Sequence, residues 1–345
     1  MKKINKGIFN IPLNSQNVPS SEVLSEAIDS VVLADKFGVD EAYFGEHITD
    51  KHEKIASSLM MVSTLSKLTK KIKLGTLTVN LNFYNPSIAA ALISMSDNLC
   101  KGRLLLGVGS GANKTDIEAV GQLNENVYEK MLQNHKIIFN LLTSKKDLSR
   151  NFTRKTRVKK LGLGYFNKLY RDRKELETIM PALGPNSHNV KVCAKNKWSI
   201  VISNFCSDEI IDNHIANYLK YSPLTKKKAL KKIKLSKFIF VAKSDESAKK
   251  LIFDKNSPYL QAVKIIYDKL KFFNRESCFG HNIRNSSDAL NNIAWYGSSR
   301  TISKKISLFK KKYGSISSLI YVNVPKTKNK IYNKSFEIFS KKVKC

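Results

Sequence analysis

Over the first 140 residues, short apolar runs alternate with longer stretches whose hydrophobic residues fall on one helical face. Ile8–Pro12 suits a buried strand. Glu22–Phe37 then sets Val23, Leu24, Ala27, Ile28, Val31 and Val32 on one side of a helix that Gly38 stops. Glu41–His47 (EAYFGEH) predicts a second strand, Ile55–Leu68 a helix, and Ile72–Asn80 (IKLGTLTVN) a third strand. Asn85 is a good N-cap with Pro86 at the first helical position, which opens a helix through Leu99. Arg103–Val108 (RLLLGV) makes a fourth strand.

Strands too apolar to have one wet face, each followed by a helix, imply a parallel sheet. Right-handed β–α units in succession over this length are best accommodated by a closed (β/α)8 TIM barrel. An open doubly wound sheet is the rival, but its usual G-x-G-x-x-G after the first strand is absent. Past Leu142 the pattern deteriorates, and Ser144–Arg173 reads as a basic, poorly patterned insertion, a surface segment or mobile loop. Order resumes with a strand at Ile179–Leu183, a helix across Asn189–Lys195, a strand at Ser199–Ser203 and a helix from Asp208 to Leu219. Lys237–Ala242 and Ser315–Val324 are further strands, with the amphipathic helix Ile302–Tyr313 between them. The expectation is one barrel domain over residues 1–345, with the insertion at 144–173 in mid-chain.

Composition narrows the class. A 42% hydrophobic fraction excludes wholesale disorder, and 15 Gly, 8 Pro and 5 Cys exclude collagen-like or disulfide-framework proteins. The cysteines are scattered with no C-x-x-C, which fits reduced thiols in a cytoplasmic enzyme. The start lacks the long apolar region of a secretion signal, and no stretch approaches a membrane span, so a soluble protein is expected. The net charge of +32 suggests nucleic acid at first sight. Residues 1–140, however, carry 15 Lys+Arg against 14 Asp+Glu, so nearly all the excess lies in the later part. Lys outnumbers Arg by 51 to 9, whereas phosphate and base recognition favours Arg forks. The charge is therefore read as compositional drift rather than as a specific nucleic-acid face.

In a parallel barrel, ligands collect at the C-terminal strand ends. Glu46 and His47 end the second strand, and Thr78 and Asn80 the third; Gly107, Gly109, Ser110 and Gly111 end the fourth. Ser187 follows the fifth and Asn204 the sixth. His47 can move protons near neutral pH, though a strand-end histidine bonded to backbone is an equal alternative. GEHITDKHEK gathers imidazoles and carboxylates without H-E-x-x-H spacing, so no metal site is expected. GVGSG could form an anion nest or a plain turn. Ser187 stands where a helix begins and suits either a phosphate or an ordinary N-cap. Trp198 and Trp295 read as core residues.

The runs EAYFGEH, IKLGTLTVNLNFYNP and DNLCKGRLLLGVGSG, with the closing YGSSRTISKKISLFKKKYGSISSLIY, resemble the bacterial luciferase-like flavin monooxygenases, and look closest to the limonene-monooxygenase-like branch. The resemblance covers about Ile8–Glu129, is patchy over Met180–Asn204 and Tyr296–Tyr321, and is absent over Ser144–Arg173. It implies a (β/α)8 barrel holding reduced FMN from a separate flavin reductase, with FAD or F420 less favoured. It implies that O2 adds at flavin C4a and that the resulting peroxyflavin oxidises a small organic substrate. His47 matches the catalytic histidine beside the flavin, and Thr78 the position whose backbone approaches the ring, with Leu77–Thr78 as the family's cis peptide. Ser110 and Ser187 match phosphate-contacting segments, while Glu46, Asn80 and Gly109 fall beside the cofactor. Homodimerisation is also implied. Asn85 stands where many relatives carry His, and Ser110 where the luciferases carry a phosphate-binding Arg. An F420-dependent oxidoreductase and a non-catalytic flavin- or anion-binding barrel are the alternatives.

Overall fold

The computed structural model describes residues 3–11, 13, 17–143, 165–324 and 330–345. Its strands are β1 (Asn5–Asn10), β2 (Glu41–Phe44), β3 (Lys73–Thr76), β4 (Val79–Asn80) and β5 (Leu104–Gly109), then β6 (Thr178–Ala182), β7 (Ser199–Ile202), β8 (Ile233–Ala242), β9 (Ala294–Ser298) and β10 (Ser318–Asn323). Every named pairing is parallel. The order β1-β2-β3-β5-β6-β7-β8 is closed by β10, which pairs with both β8 and β1. This eight-stranded ring is the expected barrel and excludes the open sheet, which would leave two free edges. The two short strands lie off the ring, β4 beside β5 and β9 beside the far half of β8.

Side-chain alternation builds two cores. Ile8, Ala42, Leu104, Ile200 and Leu319 point outward against the surrounding helices. Their neighbours Phe9, Tyr43, Leu105, Val201 and Ile320 fill the interior. Burial on both faces is what made the strands uniformly apolar in sequence.

One end of the interior is closed by charge. Lys234 donates to Glu41 at 2.9 and 3.0 Å, and both side chains are about 2% exposed. Tyr43 Oη (2.8 Å) and Ser318 Oγ (3.0 Å) also donate to Glu41. Burial alone would raise the Glu41 pKa, but Lys234 and these donors hold it below the ordinary value. Part of the lysine surplus is thus structural. Lys237 points the other way, to Asp208 and the Cys206 carbonyl.

Several expected boundaries shift. The seventh ring strand starts at Ile233, four residues before Lys237, because two lysines interrupt its apolar pattern. Ile72–Asn80 is two strands, separated at Leu77–Thr78. The helix after β2 begins at Ser58, where Ser57 accepts from Met60 N, rather than at Ile55. Asn85 caps the helix Pro86–Leu99 as expected, accepting from Ser87 N. Pro12 and residues 144–164 of the basic insertion lie outside the described residues. The insertion's described end is pinned, not loose: Asp97 accepts from Tyr170 N (2.9 Å) and Arg173 Nε (3.0 Å), and Leu169 is buried. Trp295 is buried; Trp198 is half-buried against the core.

Candidate active site

All ring strands run the same way, so their C-terminal ends share one mouth. A chamber of about 600 Å³ opens there. Glu46, His47, Thr78, Asn80, Gly109 and Ser110 all line it, as position in the fold led one to expect.

Glu46 is the brace of this wall. Its carboxylate, 3% exposed, accepts from Ser58 N and Ser58 Oγ, both at 3.0 Å, and from Asn80 N at 3.1 Å. Its carbonyl accepts from Asn80 Nδ2 at 3.2 Å. The loop after β2, the N-terminus of helix Ser58–Leu68 and β4 are thereby tied together. Burial raises its pKa despite the donors around it. Every one of these bonds points into the protein, so Glu46 shapes the wall.

The Leu77–Thr78 peptide is cis, at the bond the resemblance singles out. Thr78 Oγ1 donates to Asn80 Oδ1 (3.1 Å). Two glycines of β5 make room for this segment. A Cβ at Gly107 would lie 2.0 Å from the Thr76 carbonyl oxygen, and one at Gly109 only 2.3 Å from Thr78 Oγ1. Neither position admits a side chain without displacing its neighbour, so both glycines let β5 pack closely against the Thr76–Thr78 segment.

His47 is held among carboxylates. Asp116 Oδ2 lies 2.9 Å from its Nδ1, and Glu53 Oε2 is 3.6 Å from its Nε2. Asp116 is completely buried and also accepts from Thr49 N (2.8 Å), which fixes its orientation. Burial pulls the imidazole pKa down, but Glu53, Asp116 and Asp50 outweigh it and raise it to about 9. His47 is therefore an imidazolium at neutral pH, and its Nδ1–H donates to Asp116. Asn113 Nδ2, 3.0 Å from the same nitrogen, cannot also donate to it and is better placed for Asp50 Oδ2, 3.4 Å away. Two of the GEHITDKHEK carboxylates, Asp50 and Glu53, are committed to ion pairs: Lys269, arriving from helix Pro258–Phe272, meets Asp50 and lies 3.5 Å from Glu53.

On the opposite flank, Asn82 Nδ2 donates to the carbonyls of Ser110 (2.9 Å) and Val127 (2.8 Å), setting Tyr128 beside Ser110. The Tyr128 ring meets His188, the first residue of helix His188–Asn196, edge-on at 5.6 Å. Tyr128 Oη is buried without a partner among the described residues, and burial pushes its phenol up to about 12, so it remains a donor. Ser187 caps this helix by position, yet its hydroxyl makes no capping bond and it does not line the chamber; Gly184, Pro185 and Asn189 do. Asp116, Asn113, Tyr128, Lys269 and Ser236 are chamber or His47 contacts that sequence position did not indicate.

The fold is thus a (β/α)8 barrel with an open chamber and a protonated histidine at its mouth. Residues 5–161 match the luciferase-like monooxygenase family model. The 4-hydroxyprotoasukamycin monooxygenase of Streptomyces nodosus subsp. asukaensis is 28% identical over 150 residues, which is 44% of this chain and 40% of that enzyme. The chain thus spans less than half the length of that relative. Among solved structures, the oxygenating constituent of 3,6-diketocamphane monooxygenase from Pseudomonas putida, a type II Baeyer-Villiger monooxygenase in complex with FMN, superposes with a TM-score of 0.85 at 17% identity over 99% of this chain and 98% of that one. The F420-dependent tetrahydromethanopterin reductase of Methanopyrus kandleri superposes with a TM-score of 0.65 at 15% identity, covering 99% of each chain.

Proposed function

We propose that this chain is the oxygenase of a flavin-dependent monooxygenase, using reduced FMN and O2 to oxidise a small organic molecule. The observation that carries the reading is a chamber at the C-terminal strand ends that Thr78 and Gly109 border, with His47 protonated beside them.

The residues present fit FMN. A flat ring with polar edges needs close backbone approach, which Gly109 and Thr78 allow. A phosphate needs donors at the chamber's edge. Ser110, Tyr128, whose hydroxyl has no partner among the described residues, and Asn189 of helix His188–Asn196 all line the chamber and would supply them without an arginine. Reduced flavin supplies two electrons, so that one atom of O2 enters the substrate and the other leaves as water. His47 donates a proton through Nε2, while Asp116 holds the ring's orientation through Nδ1. Glu46 and Asn80 keep the Thr78 segment in place. A separate flavin reductase delivers the reduced cofactor.

The F420-dependent neighbour favours a second reading, hydride transfer through F420 on the same barrel. To test between them, purified protein is supplied with reduced FMN and 18O2 and a panel of small apolar organic compounds, and in parallel with reduced F420. One 18O atom in a protein-dependent product is expected with FMN. Turnover with reduced F420 alone would overturn the monooxygenase reading.

A further inference from the structure

The apolar lining of the chamber does not stop at its mouth. On helix Pro258–Phe272, Ile266, Leu270 and the following Phe273 recur at helical spacing, and all three line the chamber. Exposure climbs outward along them, from 5% at Ile266 to 42% at Phe273. Phe272 beside it is 80% exposed, the highest value of any large hydrophobic side chain among the described residues. The rings of Phe272 and Phe273 meet edge-on at 5.0 Å. Elsewhere on the rim, Leu183 lines the chamber and is 43% exposed.

This tip is held, not frayed. Asn274 takes the left-handed conformation (φ 53°) that ends a helix. Its N–H donates to the Lys271 carbonyl (3.1 Å), and the Arg275 N–H donates to the Leu270 carbonyl (2.8 Å). Single apolar residues scattered on a surface need no explanation, but a run continuous with a pocket does. Lys271 and Arg275 flank the aromatic pair; both are exposed, and neither forms an ion pair among the described residues. The acids nearby are otherwise engaged. Asp268 pairs with Lys264 at 2.7 Å, Asp50 and Glu53 meet Lys269, and Glu276 keeps Oε2 buried.

We infer that the chamber mouth docks on an anionic lipid bilayer, with Phe272 and Phe273 entering the acyl boundary and Lys271 and Arg275 meeting the headgroup phosphates. Aromatic rings between long cationic side chains suit that interface, because the rings leave water while the charges stay in it. The contact is peripheral: no described helix is long and apolar enough to cross a membrane. Nearly all of the +32 net charge lies beyond residue 140, and that diffuse field draws the chain to any anionic surface. The aromatic tip decides which end of the barrel faces it. A bilayer is favoured over an acidic protein partner because the apolar steps from Phe272 through Phe273 and Leu270 lead into the chamber. Apolar molecules dissolved in the bilayer thereby gain a route inward that avoids water. This docking surface is independent of which cofactor the chamber holds.

The test is flotation, without flavin, with vesicles of phosphatidylcholine alone or mixed with phosphatidylglycerol. Wild type is expected to bind the mixed vesicles and to bind pure phosphatidylcholine at least about tenfold more weakly. Phe272→Ser should weaken binding to mixed vesicles at least about tenfold with an unchanged circular dichroism spectrum, since the side chain supports no packing it can lose. Lys271→Gln with Arg275→Gln should weaken it by a similar factor at low salt. Lys310→Gln with Lys311→Gln removes the same charge near the end of helix Ser299–Tyr313, which leads into β10 and so lies at the far end of the barrel. That pair should leave binding within about twofold of wild type. In Phe272→Trp, brominated acyl chains should quench emission beyond the wild-type level. Wild type that ignores mixed vesicles, Phe272→Ser that floats like wild type, or two charge-removing pairs that weaken binding alike would each overturn the docking surface. So would Phe272→Trp left unquenched, which would point to charge alone or to a protein partner. None of these results bears on whether the chamber takes FMN.

Discussion

Replacing Asp116 by Asn removes the carboxylate that faces His47 Nδ1 at 2.9 Å but keeps the shape of the side chain. Burial by itself would lower the His47 pKa, so the rise from 6.5 to about 9 reflects Glu53, Asp116 and Asp50 acting together. That rise is about 2.5 units, or roughly 3 kcal/mol of preference for the imidazolium in the folded state. A single carboxylate in contact shifts a neighbour by about 1–3 units, so Asp116→Asn should lower the His47 pKa by at least about one. The sign for stability follows from the direction. A histidine whose folded pKa is raised stabilises fully below its unfolded value, near 6.5, and loses that contribution as pH rises through about 9. The variant should therefore be less stable than wild type by about 1–3 kcal/mol at pH 6, with a smaller gap at pH 10. Proton NMR titration of the His47 ring, assigned with His47→Gln, measures the pKa; urea unfolding at the two pH values measures the gap. A wild-type His47 titrating near 6.5, or in step with the variant, would refute the reasoning.

Three further predictions concern the frame and the chamber wall. Glu41→Ala leaves the Lys234 ammonium buried and unpaired, and should cost about 3–5 kcal/mol in urea unfolding; the double variant Glu41→Leu with Lys234→Met should recover most of it. Gly109→Val brings a Cβ to within 2.3 Å of Thr78 Oγ1, and should weaken FMN binding by about tenfold or more with an unchanged circular dichroism spectrum. Gly107→Ala meets backbone instead, the Thr76 carbonyl at 2.0 Å, and should destabilise the whole fold.

What could be read from the sequence was local. The β–α rhythm of residues 8–108 and the Asn85–Pro86 helix start depend on neighbours in the chain, and both appear in the structure. The start of β8 could not be read that way, since Lys234 belongs in a strand only because Glu41 lies 193 positions away. The helices Asp245–Ile252, Pro258–Phe272, which brings Lys269 and Ile266 to the chamber, and Ser286–Ile293 were likewise not legible. Asp245–Ile252 packs on β8 and β9, whereas Pro258–Phe272 and Ser286–Ile293 pack chiefly on each other. At the site, His47 and Thr78 were identifiable because strand ends converge in a barrel. Asp116 was not, because only the closed fold places it beside a histidine 69 positions earlier. Ser187 shows the opposite failure. Its position at a helix start was legible, but the direction of its hydroxyl depends on how that helix docks.

The central claim is that the chamber wall of Thr78, Gly109 and Ser110 holds a flavin. Titrating FMN against the protein while following flavin fluorescence tests it most directly, with F420 and the Tyr128→Phe variant measured beside it. The account predicts saturable one-to-one quenching by wild type, weaker binding of F420, and reduced FMN affinity when the Tyr128 hydroxyl is removed. FMN fluorescence that stays unchanged at saturating protein, or F420 binding more tightly than FMN, would contradict it.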